Sequence, residues 1–102
     1  MFRKLIYIVL ACSFLVSTAT IADGQHRNVE LLASSCAACH GTNGHSVGGI
    51  PNLAGMGQLH FIEQMGQFID GTRQSTVMFH HAGGYTAAEI KLLAEFFSSQ
   101  KK

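Results

Sequence analysis

Two cysteines and a histidine within five consecutive residues, Cys36-Ala37-Ala38-Cys39-His40, carry the densest chemistry in this chain. C-x-x-C-H is the attachment sequence of a c-type haem. Two thiols three residues apart can close thioether bonds to the two vinyl groups of one porphyrin. The adjacent imidazole can reach the iron as its proximal ligand. One short segment therefore specifies a cofactor, a covalent linkage through Cys36 and Cys39, and one axial ligand, His40. Three other readings compete. A thioredoxin-like redox pair requires a βαβ setting. A structural zinc site would combine the two thiolates with two of the histidines, for which His80 and His81 are available. A plain disulfide would suit an exported chain.

If haem is bound, the second ring nitrogen of His40 needs a hydrogen-bond acceptor to fix its tautomer and orientation. The carbonyl of Pro51, the only proline, is the expected partner. The other axial position decides the redox character, and Met56, Met65, Met78, His45, His60, His80 and His81 are the candidates. Met65 falls on a helical apolar stripe and reads as core. Met56 sits close to the proximal side. Met78, in Thr76-Val77-Met78, lies between two helical segments where a loop can cover the face opposite His40, so it is the expected ligand, with His80 and His81 as rivals. Thioether ligation stabilises ferrous iron and predicts a higher potential than bis-histidine ligation. With both axial positions filled by protein, the iron offers no site for substrate, which favours a carrier over an enzyme. Tyr85 is expected either at the cofactor or as a packing contact into the last helix. Arg73 reads as a solvated surface arginine, with pairing to a haem carboxylate as the alternative.

Three helical segments must position these groups. The first spans about 28–38, with Val29, Leu32, Ala33 and Cys36 on one stripe and Gly41 as its terminator. The second spans about 57–70, with Phe61, Ile62, Met65, Phe68 and Ile69 as its apolar face and Gly71 as a stop. The third spans about 86–100. Thr86 and Glu89 form a capping box ahead of Ile90, Leu93, Phe96 and Phe97. No segment alternates like a strand. The glycine-rich stretch 41–57 is expected to lie close against a flat ligand.

The chain has 102 residues, enough for one small domain. Arg3 and Lys4 precede an almost wholly apolar run from Leu5 to Val16, and small residues follow as far as Ala22. That is the layout of a secretory signal peptide, with residues 1–22 as leader and 23–102 as the haem domain. The run is short for a membrane span. A lipid anchor at Cys12 fits poorly, because apolar residues continue past it. Cleavage after Ala22, or after Ala19, would leave Cys36 and Cys39 as the only thiols. Residues 23–102 carry five basic and six acidic side chains, a formal charge of −1 with histidines neutral. Without a basic patch, nucleic-acid binding has no electrostatic support.

With these residues in view, the chain resembles class I c-type cytochromes, and more narrowly the small haem subunit of flavocytochrome c sulfide dehydrogenases. The matching segments are Cys36-Ala37-Ala38-Cys39-His40-Gly41, Pro51-Asn52-Leu53, Ser75-Thr76-Val77-Met78 and Gly84-Tyr85-Thr86. The resemblance implies an all-α fold of three to four helices wrapped around one covalently attached haem c, with His40 and Met78 as axial ligands. It further implies a periplasmic electron carrier that accepts electrons from a flavoprotein dehydrogenase subunit, or from another periplasmic redox protein, and meets a membrane only during export. A free soluble cytochrome serving a terminal oxidase or other reductase is the alternative. Phe79-His80-His81 departs from the basic or small residues common after the methionine in that family.

Overall fold

The computed structural model describes residues 20–102, with side chains from Asn28 onward. The segment 1–19, which holds most of the expected leader and Cys12, lies outside the described residues.

Four α-helices and no strands make up the described residues: α1 (Thr20–His40), α2 (Gln58–Asp70), α3 (Met78–Ala82) and α4 (Ala87–Ser98). A 3₁₀ turn, Thr42–Gly44, follows α1. The stripe on α1 buries Val29 and Ala33 and half-buries Leu32 and Cys36. This helix continues through the whole C-x-x-C-H segment and stops at Gly41, whose φ of 86° an L side chain rarely adopts.

Helix α4 begins with the expected capping box. Thr86 Oγ1 accepts from the Glu89 N–H at 3.1 Å, and Glu89 Oε1 accepts from the Thr86 N–H at 2.9 Å. Its apolar face supplies the centre of the core. Phe97 and Leu93 are fully buried, and Ile90 and Ala94 join Phe61 and Met65 of α2, Ala33 of α1, Leu53 and Ala82. The Phe61 and Phe97 rings lie 5.7 Å apart between centroids, and Phe96 meets Phe97 edge-on at 5.1 Å.

Helix α1 begins eight residues before its expected start, and two other features depart from expectation. Ile62 and Ile69, read as part of the buried face of α2, are exposed, as is Leu59. Each isoleucine follows an inward phenylalanine and so sits about 100° further round the helix. The arc of α2 that meets α4 is narrower than its apolar stripe. The second departure is α3, a single short helix in a stretch read as loop. Val77 precedes it, and Ser75 Oγ accepts from the Phe79 N–H at 2.9 Å to start it.

The loop 41–57 is organised by Gly44. Its carbonyl accepts from the N–H groups of Leu53 and Ala54 at 2.9 and 3.1 Å, folding the returning chain onto the 3₁₀ turn. Gly44 has φ 81°, and a Cβ built there would lie 2.8 Å from the Ala54 nitrogen and 2.9 Å from Phe97 Cδ1. Gly44→Ala is therefore expected to cost about 2–4 kcal/mol through overpacking and a strained φ. Denaturant unfolding monitored by circular dichroism checks this. An unchanged midpoint would mean that the loop is not held this way.

Candidate functional site

The last turn of α1, the returning loop, α2, and the segment 73–85 surround one cavity of about 280 Å³. Cys36, Cys39, His40, Pro51, Met78 and Tyr85 all line it, so the structure gathers every site residue expected from the sequence. The geometry follows from local rules. Residues three apart on a helix share a face, which turns Cys36 and Cys39 toward the same opening. Cys36 is half-buried, Cys39 is exposed, and no disulfide joins them. Burial pushes the Cys36 thiol above its ordinary value, with opposing hydrogen bonds from Ser35 and Tyr85.

His40 is buried at the cavity wall, and its Nδ1 lies 2.6 Å from the Pro51 carbonyl oxygen. A carbonyl only accepts, so Nδ1 carries the proton and donates it. In the neutral ring Nε2 is then the nitrogen with the lone pair, as a metal-ligating imidazole requires. The arrangement depends on Gly41 and Gly44, which end α1 and fold the loop so that Pro51 returns to the His40 ring.

Three methionines line the cavity: Met56, Met65 and Met78. Met65 is 5 % exposed within the core, as expected for a packing residue. Met56 N–H donates to the Leu53 carbonyl at 3.1 Å, within the loop that carries Pro51. Met78 opens α3 and is half-buried against the core. Among the histidines, His45 Nε2 meets the Lys101 carbonyl at 2.6 Å, and His60 pairs with Gln64 at 2.7 Å on the surface. His80 is exposed with its ring edge-on to Phe79, and it does not line the cavity, whereas His81 does. The two rivals expected for the second axial position thus reduce to His81. No group of three or more His, Cys, Asp or Glu side chains among the described residues could hold a metal ion, so the zinc alternative has no ligand set there.

Tyr85 serves neither expected role alone. It lines the cavity, and its hydroxyl meets Ser35 Oγ at 2.5 Å, tying the entry to α4 back to the turn before Cys36. Burial holds its phenol above the ordinary value of 10.0, so it is protonated at neutral pH. Sequence reasoning missed Ser35 altogether. A contact across fifty residues leaves no periodic signal.

The residues present fit a covalently held haem. Two free thiols share one opening, a buried imidazole has its outer nitrogen engaged, and the walls are mainly apolar, with Ile50, Leu53, Phe61, Phe68 and Val77 beside three methionines. Comparison with known proteins agrees. The family profile Cytochrome c matches residues 27–101. The chain is 45 % identical over 73 residues to the cytochrome subunit of sulfide dehydrogenase from Chlorobaculum tepidum, covering 72 % of this chain and 66 % of that protein. It is 38 % identical over 71 residues to the thiosulfate dehydrogenase electron acceptor of Thiomonas intermedia, covering 68 % and 33 %. Against cytochrome c4 of Pseudomonas aeruginosa it is 34 % identical over 81 residues, covering 78 % and 40 %. The chain thus spans just under two thirds of the first relative and less than half of the others.

Proposed function

The chain belongs to the cytochrome c family and carries a covalently bound haem c, and from that premise we propose a single-haem electron carrier, exported to the periplasm with removal of residues 1–22, that accepts electrons from a flavoprotein dehydrogenase acting on a reduced sulfur compound. The observation that carries the reading is the 2.6 Å contact from His40 Nδ1 to the Pro51 carbonyl, beside two free thiols on the same cavity.

In this proposal Cys36 and Cys39 would hold the haem through thioethers, and His40 Nε2 and the Met78 sulfur would hold its iron. Bound there, the haem supplies reversible one-electron exchange at its iron. Pro51 keeps the His40 tautomer and ring orientation fixed. Tyr85 and Ser35 brace the wall beside Cys36. Met56 belongs to the Pro51 loop on the His40 side, and Met65 is committed to the core, which leaves Met78 as the methionine free to ligate. With His40 and Met78 both committed to the iron, the protein would pass electrons without offering a substrate site there, as a carrier requires.

The partner reading draws support from the relatives, whose names tie them to sulfide and thiosulfate dehydrogenases. Ile50 and Val77 are exposed and line the cavity, which gives its mouth an apolar rim at those two positions. Such a rim suits a small, transient electron-transfer contact. Because few charges flank it, docking is expected to depend weakly on salt.

Rapid mixing with a reduced flavoprotein sulfide dehydrogenase tests this. Haem reduction should saturate with flavoprotein concentration and change little between low and physiological salt. Reduction no faster than by free flavin would contradict the partner assignment while leaving the haem assignment intact.

A further inference from the structure

Leu59, Ile62 and Ile69 give α2 an exposed apolar face that the rest of the chain leaves uncovered. With Gly66, also exposed, they follow one another at spacings of three, four and three, so they share one side of the helix. None of the four lines the cavity. The residues of α2 that do, Phe61, Gln64, Met65 and Phe68, lie roughly a third of a turn away.

Glycine inside a helix is destabilising relative to alanine. A Cβ built at Gly66 would meet nothing within 4 Å, so packing within the chain does not require glycine there. What Gly66 provides is a gap in the apolar face, open to a side chain from outside. The order of that face reads the same in both directions. Laid antiparallel on a copy of itself, about a two-fold axis level with Gln64, Ile62 meets the gap at Gly66 and Leu59 meets Ile69. A surface with this property is self-complementary, as a two-fold dimer requires.

The charges of α2 point the same way. Asp70 closes the helix at its negative end, no basic residue stands in the last turn, and no acidic residue stands in the first. Gly57 gives the positive end no side-chain cap. The Thr72 hydroxyl at 2.6 Å and the Thr72 N–H at 2.9 Å hold the Asp70 carboxyl below the usual range, so it is ionised at neutral pH. In the antiparallel arrangement Asp70 of one copy comes level with Gln58 of the other, beside the uncapped N–H groups. A charge opposed to the dipole of its own helix becomes complementary to that of its neighbour.

We propose that this face of α2 is a self-association surface, on which a second copy of the chain docks antiparallel with Ile62 over Gly66 and Leu59 against Ile69. One helix pair lies at the small end of specific interfaces, so the dimer is weak, with a Kd of roughly 10 μM to 1 mM.

Sedimentation velocity of the full chain, matured with its haem and loaded from about 1 μM to 1 mM, tests this. The average mass should climb from one copy toward two. Leu59→Lys and Ile62→Lys should each weaken association at least tenfold. Leu59 is 84 % exposed, so its variant decides if the other does not fold. Gly66→Ala separates fold from interface: it should raise the unfolding temperature of the dilute protein while weakening association. Asp70→Asn keeps the oxygen that Thr72 meets and should also weaken association. A parent protein that stays a single copy at 1 mM would overturn the proposal, as would association that Leu59→Lys or Asp70→Asn leaves unchanged. A single-copy parent whose reduction by a flavoprotein is slowed by Leu59→Lys would assign the face to that partner and overturn it equally.

Discussion

Replacing both Cys36 and Cys39 with serine is expected to give a chain with no covalent haem that does not reach its folded state. Haem staining after a denaturing gel should vanish, and far-ultraviolet circular dichroism should show loss of most helicity. The reason is the size of the void relative to the core. Among the described residues only Phe97 and Leu93 are large side chains buried completely. The cavity of about 280 Å³ would lose its filling. At roughly 24 cal/mol per Å³ that is at most about 7 kcal/mol, an upper bound because the mouth is open to water, yet comparable with the whole stability of a small domain. Small domains bury too little surface to absorb such a loss. A single substitution leaves one thioether and should retain a haem that resists extraction. A double variant with native helicity and no haem would show that the helices hold without the cofactor.

The second large effect is expected at Met78. Met78→Ala should abolish the far-red absorption band of ferric iron bound to methionine and lower the reduction potential by more than about 59 mV, which corresponds to a tenfold change in the relative stabilisation of the two iron states. Haem attachment should persist, because the thiols and His40 are untouched. Met65→Ala separates ligation from packing. It should keep the band and lower stability by about 2–5 kcal/mol, as expected for a methionine 5 % exposed in the core. If the band survives in Met78→Ala, the second ligand is another methionine on the cavity, Met56 or Met65; a band missing from the parent protein would point to His81 instead.

Which parts of this structure could be read in advance follows from the range of the interactions. The ends of α2 and the capping box of α4 depend on neighbours within a few residues, and the sequence displays both. The His40–Pro51 contact was also legible, although eleven residues separate the pair, because a ligating imidazole must engage its second nitrogen and proline's carbonyl sits in a loop already marked by glycine. Helix α3 was not legible. Five residues make too little periodicity, and the group that starts it is the hydroxyl of Ser75, outside the helix. The exposure of Ile62 and Ile69 depends on how much of α2 the α4 face covers, which no pattern along α2 contains. The Tyr85–Ser35 contact, and the approach of the Arg73 guanidinium to 5.0 Å from the Phe68 ring centroid, arise only once the loops close over the cavity.

The central claim is that Cys36, Cys39, His40 and Met78 hold one haem c closed on both sides, so that the protein relays electrons and binds no substrate at iron. The visible spectrum of the reduced protein, recorded before and after adding carbon monoxide, tests it most directly. Sharp ferrous haem c bands that carbon monoxide leaves unchanged are predicted. A protein without those bands, or one whose bands shift to a carbon monoxide complex, would contradict it.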